Sequence, residues 1–137
     1  MATLRLVAGI ISVAIVAGLS SASAENDILT RARMAAVDGD HVTCARLAEK
    51  ARQQPGADGR VHHLYATCQA FAAEARRSEL SDSEYATELG KAIAAYQLLL
   101  HTPGLLPHLE ERASVEFIVE ELQGRIAQLP SGKSPAN

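Results

Sequence analysis

Tryptophan is absent from this chain, and its aromatic side chains are limited to 3 tyrosines and 2 phenylalanines in 137 residues. A large carbohydrate platform, which stacks sugars on broad aromatic faces, is therefore disfavoured. An excess of positive charge is missing too: 13 Lys and Arg stand against 16 Asp and Glu, for a formal net charge of −3. That balance leaves no electrostatic footprint for nucleic acid or for an anionic membrane surface. Cysteine is confined to Cys44 and Cys68. They form no Cys-x-x-Cys redox motif, no further zinc ligands lie near Cys44, and haem attachment fails on both count and spacing.

Other catalytic signatures are missing as well. No G-x-S-x-G elbow occurs. Ser131-Gly-Lys133 lacks the preceding glycines of a phosphate loop. His108-Leu-Glu110 has the H-x-E of zinc deaminases without the P-C-x-x-C that should follow. The 5 histidines, His41, His62, His63, His101 and His108, include no i, i+4 pair that would place two ligands on one helix face. Glu110-Glu111 and Glu120-Glu121 are adjacent pairs, which diverge on a helix and read as a solvated face, with Glu121 placed to pair with Arg125 at i, i+4. No enzymatic activity, metal or cofactor is expected.

What is present begins with a leader. Residues 1–24 carry one charge, Arg5, then an apolar run from Leu6 to Leu19, then small residues ending in Ala22-Ser23-Ala24. This is the pattern of a secretory signal peptide cleaved after Ala24. The apolar run is shorter than the roughly 20 residues of a spanning helix. The expectation is an exported protein, periplasmic or secreted, with no stable membrane insertion after cleavage. Residues 25–129 then form a single domain, and 130–137, polar and rich in Pro, Gly and Ser, form a disordered tail.

Within that domain the periodicity is helical throughout, and the fold class expected is all-α, built from antiparallel hairpins of about five helices. The first helix runs from an Asn26 or Asp27 cap to Gly39, and Asp40 caps the second. The third spans about Gly59–Arg77. The fourth opens on the capping box Ser81-Asp82-Ser83-Glu84 and runs to Thr102-Pro103-Gly104. The fifth starts near Pro107, placed at a first helical position, and carries Leu109, Val115, Ile118, Val119, Leu122 and Ile126 on its apolar side. Pro55-Gly56 lies midway between the cysteines, so two helices folded there bring Cys44 and Cys68 level. In an oxidising compartment that spacing predicts a disulfide.

On the third helix Val61, Leu64, Tyr65, Cys68, Phe71, Ala72 and Ala75 follow helical spacing, while Ala66, Ala70 and Ala73 fall almost opposite. A helix apolar on two sides is sandwiched, which leaves Arg60, His63, Thr67 and Glu74 as one solvent-facing stripe. These four are the candidate partner-binding surface. CARLAEKARQQPG (44–56) also aligns with AIAAYQLLLHTPG (92–104), displaced by 48 positions. Gly39-Asp40, Cys44, Ala45, Ala48 and Ala51, with Ala92-Ile93, Tyr96, Leu99 and Pro103, resemble the second helices of the tetratricopeptide repeat. The resemblance implies a non-enzymatic scaffold or adaptor that binds a protein or peptide partner in the cell envelope along a concave surface. A compact disulfide-linked helical bundle, acting as a periplasmic inhibitor, immunity protein or chaperone, is the alternative.

Overall fold

The computed structural model describes residues 27–130. The expected leader over 1–24 and residues 131–137 of the expected tail lie outside that range. Five helices make up most of the described chain: α1 (27–37), α2 (His41–Arg52), α3 (Gly59–Ala75), α4 (Asp82–His101) and α5 (Leu109–Ala127). A 3₁₀ turn, Arg77–Glu79, connects α3 to α4, so α3 ends two residues earlier than expected. There is no strand among the described residues, and no helix among them is long and apolar enough to cross a membrane.

The helix ends have local chemical causes. α1 stops where Gly39 adopts φ +78°, a left-handed conformation that suits glycine. The Asp40 and Gly39 N–H groups then return to the Ala35 and Ala36 carbonyls, which closes the last turn. Asp40 Oδ1 accepts the Thr43 N–H at 3.1 Å and opens α2. Asp58 does the same for α3, accepting from the Arg60 and Val61 N–H groups. Ser81 and Glu84 cap α4 reciprocally, as expected. α5 departs from expectation. His108 is its cap residue and makes no side-chain cap bond, so Pro107 precedes the helix instead of starting it.

Cys44 and Cys68 are joined in a disulfide, with their Cα atoms 5.8 Å apart and both residues buried. Around them Ala45, Ala72 and the partly buried Ala35, Ala36 and Leu64 form a small apolar cluster. A larger cluster takes in Ala32 of α1, Ala48 of α2, Tyr65 and Ala66 of α3, Leu89 and Tyr96 of α4, and Val115 and Val119 of α5. α3 therefore contributes to both clusters and packs between α2 and α4. Its alanines, Ala66 and Ala73, are fully enclosed because small side chains let neighbouring backbones approach. Three residues of the expected apolar faces are not in the core: Phe71 is half-exposed and stacks on the His41 ring, Ala75 is exposed, and Leu109 is 81% exposed.

The segments displaced by 48 positions share a helix end. Each helix is followed within a few residues by a Pro-Gly whose glycine has positive φ, Gly56 at +81° and Gly104 at +85°. Beyond that point they diverge. Asp58 caps α3 almost at once, whereas the connection to α5 carries the buried Leu106. Gly59, the first residue of α3, meets that connection backbone to backbone. A Cβ at position 59 would stand 1.9 Å from the Leu105 carbonyl oxygen, so only glycine fits without displacement.

Two stability outcomes are expected. Replacing the disulfide by Cys44→Ala/Cys68→Ala should lower the unfolding free energy by about 3–4 kcal/mol, the chain-entropy value for a loop of this length. Urea denaturation measures it, and an unchanged midpoint contradicts it. Gly59→Ala should cost roughly 1–3 kcal/mol through overpacking. Gly124→Ala, which enters open space within α5, should instead stabilise by about 0.5–1 kcal/mol.

Candidate functional site

The N-terminal half of α3 forms the floor of a groove of about 820 Å³. Arg33 of α1 stands on one side, and Glu111 and Ser114 of α5 stand on the other. Leu64 and the connection residues Leu105, Leu106 and Pro107 give it an apolar lining, while Asp58, Arg60, His63, Thr67 and His108 supply polar groups. The groove exists because Gly59 lets the α4–α5 connection sit directly on the start of α3.

Three of the four candidate surface residues, Arg60, His63 and Thr67, line this groove; Glu74 does not. Arg60 is exposed, and its guanidinium donates to the Asp58 carboxylate at 2.8 Å. Asp58 is thereby held below the usual carboxylate range, first by Arg60 and also by the N–H groups it caps, against a smaller opposing effect of burial. His63 lies edge-on to the Tyr96 ring, with centroids 5.8 Å apart. Thr67 Oγ1 shares a hydrogen bond of 2.9 Å with the Tyr96 hydroxyl and lies 3.5 Å from His63 Nδ1.

The solvent-facing stripe expected on α3 is thus corrected. His63, Thr67 and Glu74 are all partly buried, because α4 and α5 close over that side of the helix. Glu74 accepts a hydrogen bond from the Tyr85 hydroxyl, and Arg125 of α5 donates to it at 2.7 Å. Burial pushes its carboxyl up, but these bonds and the nearby arginines together hold it below the ordinary value. Glu74 joins α3, α4 and α5, and has no part in the groove.

The Thr67 hydroxyl makes its short hydrogen bond with the Tyr96 phenol and sits farther from the imidazole. A nucleophile would need the reverse, with the base at hydrogen-bonding distance and itself oriented by a third group. Here the polar chain fixes the floor of the groove. Arg33, Leu105 and Ser114 were not among the residues singled out in the sequence. The clue was Leu105-Leu106, an apolar pair immediately after a Pro-Gly turn, where a solvated loop would carry polar residues.

The imidazoles set a pH dependence. Burial lowers the pKa of His63, with Glu111 opposing, and burial lowers that of His62, assisted by the Arg52 charge. The unfolded chain therefore binds these protons more readily than the folded one. Their neutral forms contribute stability that is full above the unfolded pKa of about 6.5 and is lost as pH falls through it towards the lower folded values. The thermal midpoint should fall between about pH 7.5 and about pH 5.5, above the carboxylate range. His62→Gln/His63→Gln should flatten that decline, and an identical slope in the variant contradicts the assignment.

No family model, curated protein or solved structure matches this chain, so the groove is interpreted from its own geometry.

Proposed function

We propose that the protein is an exported, non-enzymatic helical adaptor of tetratricopeptide-like kind, which holds a segment of a partner protein in the groove between α1, α3 and α5. The observation that carries this reading is the groove itself, where Arg60, His63 and Thr67 come together around an apolar lining. Its volume suits a few side chains of a peptide, and its composition is that of a binding site: mostly apolar, with a few placed polar groups. The Arg60–Asp58 pair and Glu111 at the rim would select the register of the bound segment, and Leu64, Leu105 and Leu106 would take its apolar side chains.

Export is supported by the buried disulfide, since such bonds form and persist in oxidising compartments. The staple also keeps both thiols from reacting with anything else. A compact bundle acting as an inhibitor, immunity protein or chaperone remains the second reading. It is favoured by the single large apolar cluster that includes residues of all five helices.

A photo-crosslinking side chain at position 63 should capture a partner in the cell envelope, whereas the same group at the exposed Gln97 of α4 should not. The captured partner, purified, should bind the protein directly. Ser114→Trp, which fills the groove from an exposed position, should weaken binding at least about tenfold with the circular dichroism spectrum unchanged. Equal capture at both positions, or unimpaired binding by Ser114→Trp, overturns the assignment of the groove.

A further inference from the structure

On the opposite side of α3, a second concavity of about 510 Å³ lies between α2 and α4. Its lining carries more positive than negative charge in an acidic chain. Arg46 and Arg52 come from α2, Arg76 from the end of α3 and Lys91 from α4, against only Glu49 and Glu88. Both carboxylates are already committed. Glu49 accepts from Arg52 and Gln53, and Glu88 accepts from Lys91 and from the buried Gln69. Burial alone would raise both pKa values, but these partners together hold them below the ordinary range, so neither becomes neutral near pH 7.

Two guanidinium groups are held only weakly. Arg46 is exposed and forms no ion pair or side-chain hydrogen bond among the described residues. Arg76 forms its one ion pair among the described residues with Glu79, at 3.8 Å and largely in solvent, and its charge also acts at longer range on Glu84 and Glu88. We propose that this trough docks an acidic segment of a partner protein, with Arg46 and Arg76 receiving its carboxylates. A guanidinium presents a planar fork of donors that matches a carboxylate two bonds at a time. Positive charge gathered in a concave, low-dielectric site also focuses the field towards the approaching anion. Val42, which lines the trough and is 45% exposed, offers an apolar contact beside the charges, so the segment carries apolar residues among its acidic ones. A trough walled by two helices admits a chain segment better than the plane of a bilayer, and the net charge of −3 opposes approach to an anionic membrane.

The trough is separate from the groove of the preceding proposal and shares none of its lining residues. The test uses the exported chain with its disulfide intact and fluorescence anisotropy of a labelled peptide rich in Glu and Leu. A counterpart with Gln in place of Glu, and vesicles of phosphatidylglycerol and phosphatidylcholine, complete the set. The Glu peptide should bind, with affinity falling as salt is raised, and the Gln peptide should bind at least about tenfold more weakly. Arg46→Glu/Arg76→Glu should weaken the Glu peptide about tenfold or more, while Ser114→Trp leaves it unchanged. Should the double variant unfold, Arg46→Gln alone, at an exposed site without partners, should still weaken binding several-fold. Equal binding of both peptides, unimpaired binding by the arginine variants, or binding to the vesicles in place of the peptide overturns the proposal.

Discussion

The Cys44–Cys68 bond holds α2 against α3, and the rest of the molecule depends on where α3 is held. α3 contributes to both apolar clusters, and among the described helices it alone has side chains that line both concavities. Around the disulfide the α2–α3 interface is made largely of alanines, while Leu47 and Tyr65 of the larger cluster and Arg52 over the Tyr65 ring extend it. Alanine side chains bury little apolar area each, and hydrophobic stabilisation scales with area. A bond that restricts the unfolded chain adds stability beside those alanines without adding bulk.

The other side of α3 is secured differently. Tyr65 of α3 packs in the larger cluster with Tyr85, Leu89 and Tyr96 of α4. Glu74 then draws Tyr85 and Arg125 together, and Arg125 also reaches Glu121 on its own helix. At the other end Gly59 meets the Leu105 carbonyl. Large side chains, a polar knot and one backbone contact therefore do for α4 and α5 what the disulfide does for α2. The two concavities follow from this arrangement, because a helix packed between neighbours on both sides leaves a hollow above and below itself.

Much of this was legible in the sequence where the cause is local. Asp40, the Ser81–Glu84 box and the Pro-Gly turns mark helix ends through bonds between near neighbours. The staple could be inferred because the midpoint of a hairpin equates the positions on either side of it. The stripe on α3 shows where this reasoning stops. Periodicity says that Arg60, His63, Thr67 and Glu74 share one side of a helix, but it is silent on what lies opposite. Tyr96 and Arg125, which claim Thr67 and Glu74, are 29 and 51 residues distant. The basic trough was hidden for the same reason: its four cations come from three helices and form no run in the sequence. Leu109 belongs to an apolar repeat yet faces solvent, because α5 packs chiefly on α4 with Val115, Val119 and Leu122.

The central claim is that the disulfide positions α3, and through it both concavities. Amide hydrogen exchange of the oxidised and reduced protein tests it most directly, since exchange reports the local free energy of opening along each helix. With the bond intact, amides in the middle of α3 around Tyr65–Ala73 should be among the slowest to exchange. Reduction should accelerate α2 and α3 more than α4 and α5. If the slowest amides lie in α5, and reduction leaves α2 and α3 as protected as before, the staple does not organise this fold.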